Sequence, residues 1–391
     1  MSKFKKIIFV TPWYGKDATG GAELQCRTLA ENLKNARFNI EIYTSCSKQF
    51  HSSWINDFKP EKYYENGLLV KRFKVDKRDS DLFNSLNSTI LSNSPHLNED
   101  EELAYFKNSI NSKDMMNEIK NDSESLFIFI PYLYGTTFFG CQIHPERSIM
   151  IPCLHDENYA KMSLMKRAIS QVRAISFNSA SEKDFVGSLL EKLPHNSILG
   201  EGIDIPNKTT DPISFKKKYN LKEFILYAGR KENGKNTPLL VKYFTKFLEN
   251  NNTDLKLVLT GKGDVSIPDQ YSKNILNIYL SSEELHDAYS AATLFCLPSI
   301  HESFSRVIME SWLHKTPVLV NADSLVTKDF CLKSDGGLYF TNYDEFEECI
   351  KYYLENPEIR KKLGENGQNY VSTNFNWNKI ISVYTEFFNS I

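Results

Sequence analysis

The stretch KIIFVTPWYGKDATGGAELQCRTLAENLKNARFNIEIYT, residues 6–44, decides the fold. Lys6–Thr11 is a β-branched apolar run that reads as a buried strand. Pro12–Gly21 is dense in turn residues. Ala22–Asn35 sets Leu24, Leu29, Ala30 and Leu33 at helical spacing, and Asn39–Thr44 alternates as a second strand. Strand, glycine-bearing loop, helix and strand make one βαβ unit, the building block of a parallel sheet.

The alternation resumes downstream. Leu126–Ile130, Ser148–Leu154 and Ala174–Phe177 read as short buried strands, and Ser181–Leu190 as a helix capped by Ser179 or Ser181. A second block begins near residue 220. It has strands over Glu223–Ala228, Leu255–Thr260, Ile275–Leu280, Leu294–Leu297 and Pro317–Val320. Its helices cover Thr237–Glu249, Ser282–Ala292, Ser303–His314, Tyr343–Leu354, Pro357–Val371 and Asn376–Phe388. Gly, Asp, Pro and Asn gather in Gly202–Asp211, which places the boundary there. Residues 45–125, rich in Ser, Asn, Asp and Lys, are expected to be irregular, with one or two helices near Glu101–Ile119. The expected class is α/β, with two doubly wound domains in series. Ligands of such sheets bind beyond the carboxyl ends of the strands, here in a cleft between the domains.

Composition narrows the function. The 391 residues exceed one ordinary core, and 41% hydrophobic with 25% charged residues is normal for a globular chain. Residues 1–205 carry 25 Lys and Arg against 26 Asp and Glu, and the rest 22 against 23. Neither half has the basic excess of a nucleic-acid binder. The opening Met1-Ser2-Lys3-Phe4-Lys5-Lys6 leads directly into a short strand, without a leader pattern, and no apolar run reaches the ~20 residues that span a bilayer. Seven dispersed cysteines without a CxxC pair suggest reduced thiols, so the cytoplasm is the expected compartment.

Four segments carry the chemistry. In Pro298–Glu310, PSIHESFSRVIME, Glu302 follows a strand and Glu310 lies in the next helix. A helix start in that loop offers unpaired N–H groups and a positive dipole end to a phosphate. Glu302 would project beside that anion, and Glu310 could accept hydrogen bonds from the vicinal hydroxyls of a ribose. Taken alone, such a pair is more often two solvated glutamates on a capped surface helix, and it is the position after a Pro-Ser strand end in a second αβ block that favours a site. In Ala228–Asn236, AGRKENGKN, Arg230 and Lys235 follow a strand-ending glycine, which suits a diphosphate: Arg as a planar fork, Lys as a point charge. Lys231 could replace either, and a solvated basic turn is the plain alternative. In Thr19-Gly20-Gly21-Ala22-Glu23, two glycines before a helix let backbone approach a ligand. GxGxxG is absent, so NAD is not supported. His155-Asp156-Glu157 follows a strand, and His155 could orient a sugar hydroxyl or simply be a satisfied structural histidine. Neighbouring residues on extended chain point opposite ways, so these three do not suggest a metal site.

Two further stretches are weaker. Tyr132 and Tyr134, in Pro131–Thr137, could form a sugar platform on the acceptor side, or pack in the core. Lys71–Arg78, KRFKVDKR, holds five basic residues in eight and could touch anionic headgroups at the inner membrane face, although a solvated strand edge is commoner.

These motifs in this order resemble the GT-B retaining glycosyltransferases, specifically glycosyltransferase family 4 (glycosyl transferases group 1). Gly20-Gly21-Ala22-Glu23 resembles the family's glycine-rich motif, and Gly229-Arg230 with Lys235 its Gly-Arg…Lys motif. Leu297-Pro298-Ser299 with Glu302 and Glu310 resembles its Pro-Ser-x-x-Glu…Glu signature. Thr316-Pro317-Val318 and Phe375-x-Trp377 match the elements that follow. The resemblance implies two Rossmann-like domains facing across a cleft. Residues 1–205 with the crossing-back helix 376–391 form the acceptor side, and 206–375 the donor side.

The resemblance also implies roles. Arg230 and Lys235 would hold the donor diphosphate and Glu310 the ribose. Glu302 would contact the transferred sugar, with the Ser303-Phe304-Ser305-Arg306 backbone over the phosphate. His155 would be a catalytic-site contact to the same sugar, with Gly21 near the donor and Glu23 on the acceptor side. A UDP- or GDP-hexose would be transferred with retention to a glycan or lipid-linked saccharide in surface polysaccharide assembly, by front-face attack, without metal or cofactor. The chain departs from the family where Ser303 and Ser305 replace glycines, where Arg306 adds a cation, and where Glu201 in Gly200–Asp204 replaces Asn. The alternatives are a nucleotide-sugar 2-epimerase, against which the Glu302–Glu310 pair speaks, and a silent sugar-nucleotide-binding protein.

Overall fold

The structure is a computed structural model that describes residues 5–18, 20–50, 53–92, 96–206 and 209–391. Met1–Phe4, Thr19 of the glycine-rich loop, and Asn207 and Lys208 of the boundary stretch lie outside the described residues. The chain divides into two compact units, Met1–Gly202 with Trp377–Ile391, and Ile203–Asn376.

The first unit is built on an eight-stranded sheet. Its strands are β1 (Ile7–Val10), β2 (Ile40–Ser45), β3 (Glu61–Glu65), β4 (Leu68–Phe73), β5 (Leu126–Phe129), β6 (Ser148–Met150), β7 (Ala174–Phe177) and β8 (His195–Ile198). The order is β3-β4-β2-β1-β5-β6-β7-β8, parallel except for β3 against β4. Every residue of β1, β5 and β7 is buried, as expected of strands covered on both faces. The chain leaves the centre of the sheet at β1, winds to one side, then returns at β5 to wind the other way. The carboxyl ends of β1 and β5 therefore flank a switch point. The last helix, Trp377–Ser390, packs in this unit. Tyr384 Oη lies 3.0 Å from Ser176 Oγ, and His195 of edge strand β8 stacks on Phe387. Covering an edge strand removes a template for aberrant pairing. A β-carbon at Gly202 would overlap the Trp377 ring, so this glycine is what lets the helix begin where it does.

Residues 45–125 are more ordered than expected. They hold the β3–β4 hairpin and the helices Ser80–Ile90, Glu99–Asn108 and Lys113–Asn121. Asn66 and Gly67, at φ 50° and 77°, form a two-residue loop of the left-handed kind that matches strand twist. The basic run 71–78 is divided by this structure. Lys71 is bound to Glu118 and Glu41, buried Arg72 donates to the carbonyls of Tyr14 and Ser45, and Arg78 donates to the carbonyl of Asn108. Only Lys74 and Lys77 stand in solvent, so the run is not a basic face. Among the described residues no helix is long and apolar enough to cross a membrane.

The second unit is a six-stranded, wholly parallel sheet. Its strands are β9 (Phe224–Ala228), β10 (Lys256–Thr260), β11 (Ile275–Asn277), β12 (Leu294–Leu297), β13 (Val318–Asn321) and β14 (Gly337–Phe340). The order is β11-β10-β9-β12-β13-β14, so a second switch point lies between β9 and β12. At its rim Gly261, at φ 119°, sits where a β-carbon would overlap the Gly229 carbonyl. Both the conformation and the close approach require glycine. Gly261→Ala should cost ~2 kcal/mol or more in unfolding free energy, read from urea unfolding, because strain and overlap act together.

Candidate functional site

The loops that leave β9 and β12 meet at the switch point of the second unit. The β9 loop is fixed from behind. Tyr227 Oη donates to the Arg230 carbonyl at 2.6 Å and accepts from Thr237 Oγ1 at 3.0 Å. Asn236, in the left-handed region at φ 55°, donates from Nδ2 to the Pro298 carbonyl at 3.2 Å. Asn321, at the end of β13, donates to the same carbonyl at 3.3 Å. Two amides on one carbonyl therefore hold the start of the Pro298–Ser305 loop against both neighbouring strands.

The charged groups divide sharply. Lys235 Nζ lies 2.8 Å from Glu302 Oε1, with the Glu302 side chain only 10% exposed. Arg230 is paired with Glu232 at 3.0 Å but is 44% exposed. Such a solvated pair is worth about 0–1 kcal/mol, so a ligand oxyanion can take over the guanidinium at little cost. Lys231 is excluded from this group: it is buried, its Nζ donates to Asn277 Oδ1 at 2.6 Å, and burial pulls its pKa down. Of the three cations in this loop, Lys231 is thus the one committed to a side chain of the edge strand β11.

The helix after β12 begins at Arg306, three residues later than its apolar pattern suggests, and ends at Leu313. The cause is Ser305, whose φ of 72° and ψ of 75° are left-handed and cannot continue a right-handed helix. Ser305 makes no side-chain cap, so the first N–H groups of the helix carry no hydroxyl or carboxylate partner from the cap position. Phe304 is buried and packs edge-on against Phe330 and Phe375 at 5.6 and 5.0 Å. Its ring is therefore an anchor for the loop, and only its backbone remains for a ligand. Ser303 and Arg306 are half-buried in the same turn. Glu310, also half-buried, accepts from Tyr289 Oη at 3.2 Å. Burial raises its pKa above the ordinary carboxylate value, with Arg306, the Tyr289 bond and His286 acting in the other direction.

The first unit brings its own set to the carboxyl ends of its strands. The helix Gly21–Asn35 has Gly20 at its cap without a side-chain bond, and the Glu23 carboxylate fills the space a side chain on Gly20 would take. Among the described residues nothing lies near the position a β-carbon on Gly21 would occupy. β6 stops at Met150, short of the expected Leu154, because Pro152 lacks an N–H and Cys153 is left-handed at φ 54°. His155 therefore sits on a loop. Its Nε2 lies 3.3 Å from Glu157 Oε2, and Glu157 Oε1 accepts from Tyr132 Oη at 2.5 Å. Asp156 turns away to Lys161. Among the described residues no three His, Cys, Asp or Glu side chains come together as a metal site.

The aromatic platform is corrected by burial. Tyr132 is 2% and Tyr134 7% exposed, and Tyr134 packs edge-on against Trp13 at 4.8 Å. Neither ring has a face for a sugar to stack on. Sequence reasoning missed a buried network here. Glu182 accepts from the backbone N–H groups of Leu154 and Asn178, both at 2.6 Å. Asn178 and Gln25 exchange amide hydrogen bonds at 2.6 and 3.2 Å. Burial pushes the Glu182 pKa up to about 8. The signal was the capping pattern Ser179-Ala180-Ser181-Glu182, and Ser179 does cap the helix Ala180–Leu189.

Residues 210–370, which hold the switch-point loops of the second unit, match the family described as Glycosyl transferases group 1. The second unit thus carries a group 1 glycosyl transferase segment. The chain is a glycosyltransferase of the GT-B fold. A Campylobacter jejuni relative is 22% identical over 90% of each chain. It is named GalNAc-alpha-(1->4)-GalNAc-alpha-(1->3)-diNAcBac-PP-undecaprenol alpha-1,4-N-acetyl-D-galactosaminyltransferase. Sucrose-phosphate synthase from Thermosynechococcus elongatus aligns with a TM-score of 0.72 at 16% identity, over 99% of this chain and all of that one. Anabaena HepE, solved with UDP and glucose, aligns with a TM-score of 0.67 at 15% identity, over the same shares. At such identities the two structures establish the fold alone.

The glycosyltransferase loop carries a conformational cost at Ser305. A left-handed non-glycine residue costs ~1–2 kcal/mol, and glycine returns ~0.4–1 kcal/mol of that to the unfolded chain. Ser305→Gly should therefore raise stability by up to ~1 kcal/mol, measured by urea unfolding; a loss of stability would mean the hydroxyl holds the turn.

Proposed function

We propose that this glycosyltransferase moves a hexose from a UDP- or GDP-sugar to a glycan or lipid-linked saccharide, with retention at the anomeric carbon. The observation that carries the reading is the Lys235–Glu302 pair, held beside the uncapped start of the Arg306–Leu313 helix. It puts a cation and a helix dipole where a diphosphate can bind, and a carboxylate next to them. The names of the relatives support the substrate classes: one acts on an undecaprenyl-diphosphate-linked saccharide, and another was solved with UDP and glucose.

In this reading Arg230 and Lys235 hold the diphosphate, and the backbone of Ser303–Arg306 faces its oxygens. Glu310 accepts hydrogen bonds from the ribose. Glu302 accepts one from a hydroxyl of the transferred sugar. Gly21 leaves room for donor backbone contact, Glu23 serves the acceptor side, and His155 orients the sugar. The bond between the anomeric carbon and the diphosphate oxygen breaks, and the electron pair stays on the phosphate. The acceptor hydroxyl attacks from the same face, and its proton passes to that phosphate oxygen. The products are the glycoside and the nucleoside diphosphate. The cations and the helix start stabilise the negative charge that develops on the leaving oxygen, and such fixed electrostatic stabilisation is usually what lowers a barrier most. The nucleotide sugar is itself the co-substrate, and no cofactor enters the scheme.

The reading is tested by following UDP- and GDP-hexoses by NMR with a lipid-linked or free saccharide acceptor. A 2-epimer without transfer, or a β-configured product from an α-donor, would overturn it. Glu302→Ala should lower turnover by ~100-fold or more while nucleoside diphosphate binding holds or tightens, since Lys235 is released. Arg230→Ala should weaken diphosphate binding by ~10-fold or more, as expected for a charge-assisted hydrogen bond of ~1.5–3 kcal/mol. Calorimetry on both variants separates the two roles.

The raised pKa of Glu310 gives the reading a pH signature. A protonated Glu310 accepts less well from ribose, so nucleotide affinity should fall as pH drops through that raised value, at milder acidity than an ordinary carboxylate would require. In Glu310→Gln this segment of the affinity–pH curve should be flat, and a variant that kept the wild-type curve would remove Glu310 from ribose binding.

A further inference from the structure

The buried polar network of the first unit has a geometry that capping alone does not require. In a capping box the third helical residue returns its carboxylate to the N–H of its own cap residue. Glu182, third in the helix that Ser179 caps, reaches beyond that N–H. Its Oε2 accepts from Asn178 N, one residue before the cap, and its Oε1 reaches Leu154 N on a different loop, each at 2.6 Å. The carboxylate is 1% exposed and bridges the ends of β6 and β7.

Both bonded residues lead to groups of the proposed reaction. Leu154 directly precedes His155 and follows Cys153, whose φ of 54° turns the chain out of β6. Asn178 pairs through both amide groups with Gln25, on the helix that begins at Gly21. Cys153 Sγ donates to Gln25 Oε1 at 3.3 Å and so closes the ring of contacts. One carboxylate thereby fixes the His155 loop and, through Asn178, the helix of the glycine-rich loop.

We propose that Glu182 is a positioning residue for transfer, setting the His155 loop against the Gly20–Gly21 helix start through its two backbone hydrogen bonds. The proposal rests on the reading of His155 as a sugar contact. Burying a carboxylate is costly, and a purely structural cap could use the N–H nearest to hand. The longer reach is accounted for by the need to hold a left-handed turn that no strand pairing supports.

The test is Glu182→Gln in the full chain. The variant has the same shape, but its amide N–H₂ must face one of the two backbone N–H groups, so one bond is lost. Turnover should fall tenfold or more, while the dissociation constant for UDP or GDP, set by the second unit, stays within twofold. In a His155→Ala background the same substitution should cost at least threefold less, because the share that acts through the His155 loop is already lost and only the share through Asn178 remains. Equal losses in both backgrounds, or no loss in the first, would overturn the proposal. The His155 imidazole resonances give a reading independent of turnover. Movement confined to His155 among the histidines supports the assignment, and an unmoved His155 refutes it. Should Glu182→Gln fail to fold, Glu182→Asp, too short to span both N–H groups, carries the same expectations. A wild-type chain that turned over no donor would instead defeat the transferase reading, which keeps the two failures distinct.

Discussion

Parallel pairing of buried strands is the constraint on which the rest of this molecule depends. A parallel neighbour can be reached only by a crossover, and a strand covered on both faces must be apolar along its length. Polar chemistry is thereby expelled to the strand ends. Where the winding direction reverses, two adjacent strands send their loops to opposite faces and leave room between them. In the second unit that room lies between β9 and β12, and the loops bordering it carry Arg230, Lys235 and Glu302. The sheet does not choose these residues, but it leaves few other places where side chains of opposite charge can meet half-buried.

That meeting also explains how the fold tolerates a carboxylate at this depth. Glu302 is largely buried, and an uncompensated charge there would be expensive. Lys235 supplies the compensation at 2.8 Å. A bound diphosphate would compete for the same ammonium and leave Glu302 to find a hydroxyl donor instead. On the proposed reading the two halves of the pair would then have separate partners. Arg230 has the opposite design, since its exposed pair with Glu232 holds it loosely.

How much of this was legible follows from which forces act locally. The apolar runs of β1, β5, β9, β10, β12 and β13 are readable because burial on both faces writes itself directly into composition. Arg230, Lys235 and Glu302 could be singled out because they lie on loops that follow such strands, and Glu310 because it lies in the helix beyond. The β3–β4 hairpin was missed although Asn66-Gly67 is a strong turn signal, because the strand before it, EKYYE, is a polar edge with no apolar rhythm. The early end of β6 was legible in Pro152 alone. The left-handed Ser305 was not, since serine carries no mark of that conformation; only a side chain's tertiary surroundings can force it there. The burial of Tyr132 and Tyr134 was one of two open outcomes, because an aromatic ring after a strand packs inward or outward according to what lies over it, here Trp13 and Trp54 in the case of Tyr134.

The residues hardest to read are those that act through backbone. Phe304 looks like a ligand contact by position, yet its ring is committed to Phe330 and Phe375, and its value lies in fixing the peptide groups on either side. Tyr227 does the same for the Arg230 carbonyl, and the two amides on the Pro298 carbonyl do so for the second loop. In each case a side chain with ordinary structural chemistry determines where a main-chain group points. A site that binds phosphate through N–H groups must be specified this way, because the donors themselves are identical at every residue. Functional information in this fold is therefore carried as much by anchors behind the loops as by the charged residues in front of them. Of the two kinds, only the charged residues announce themselves in the sequence.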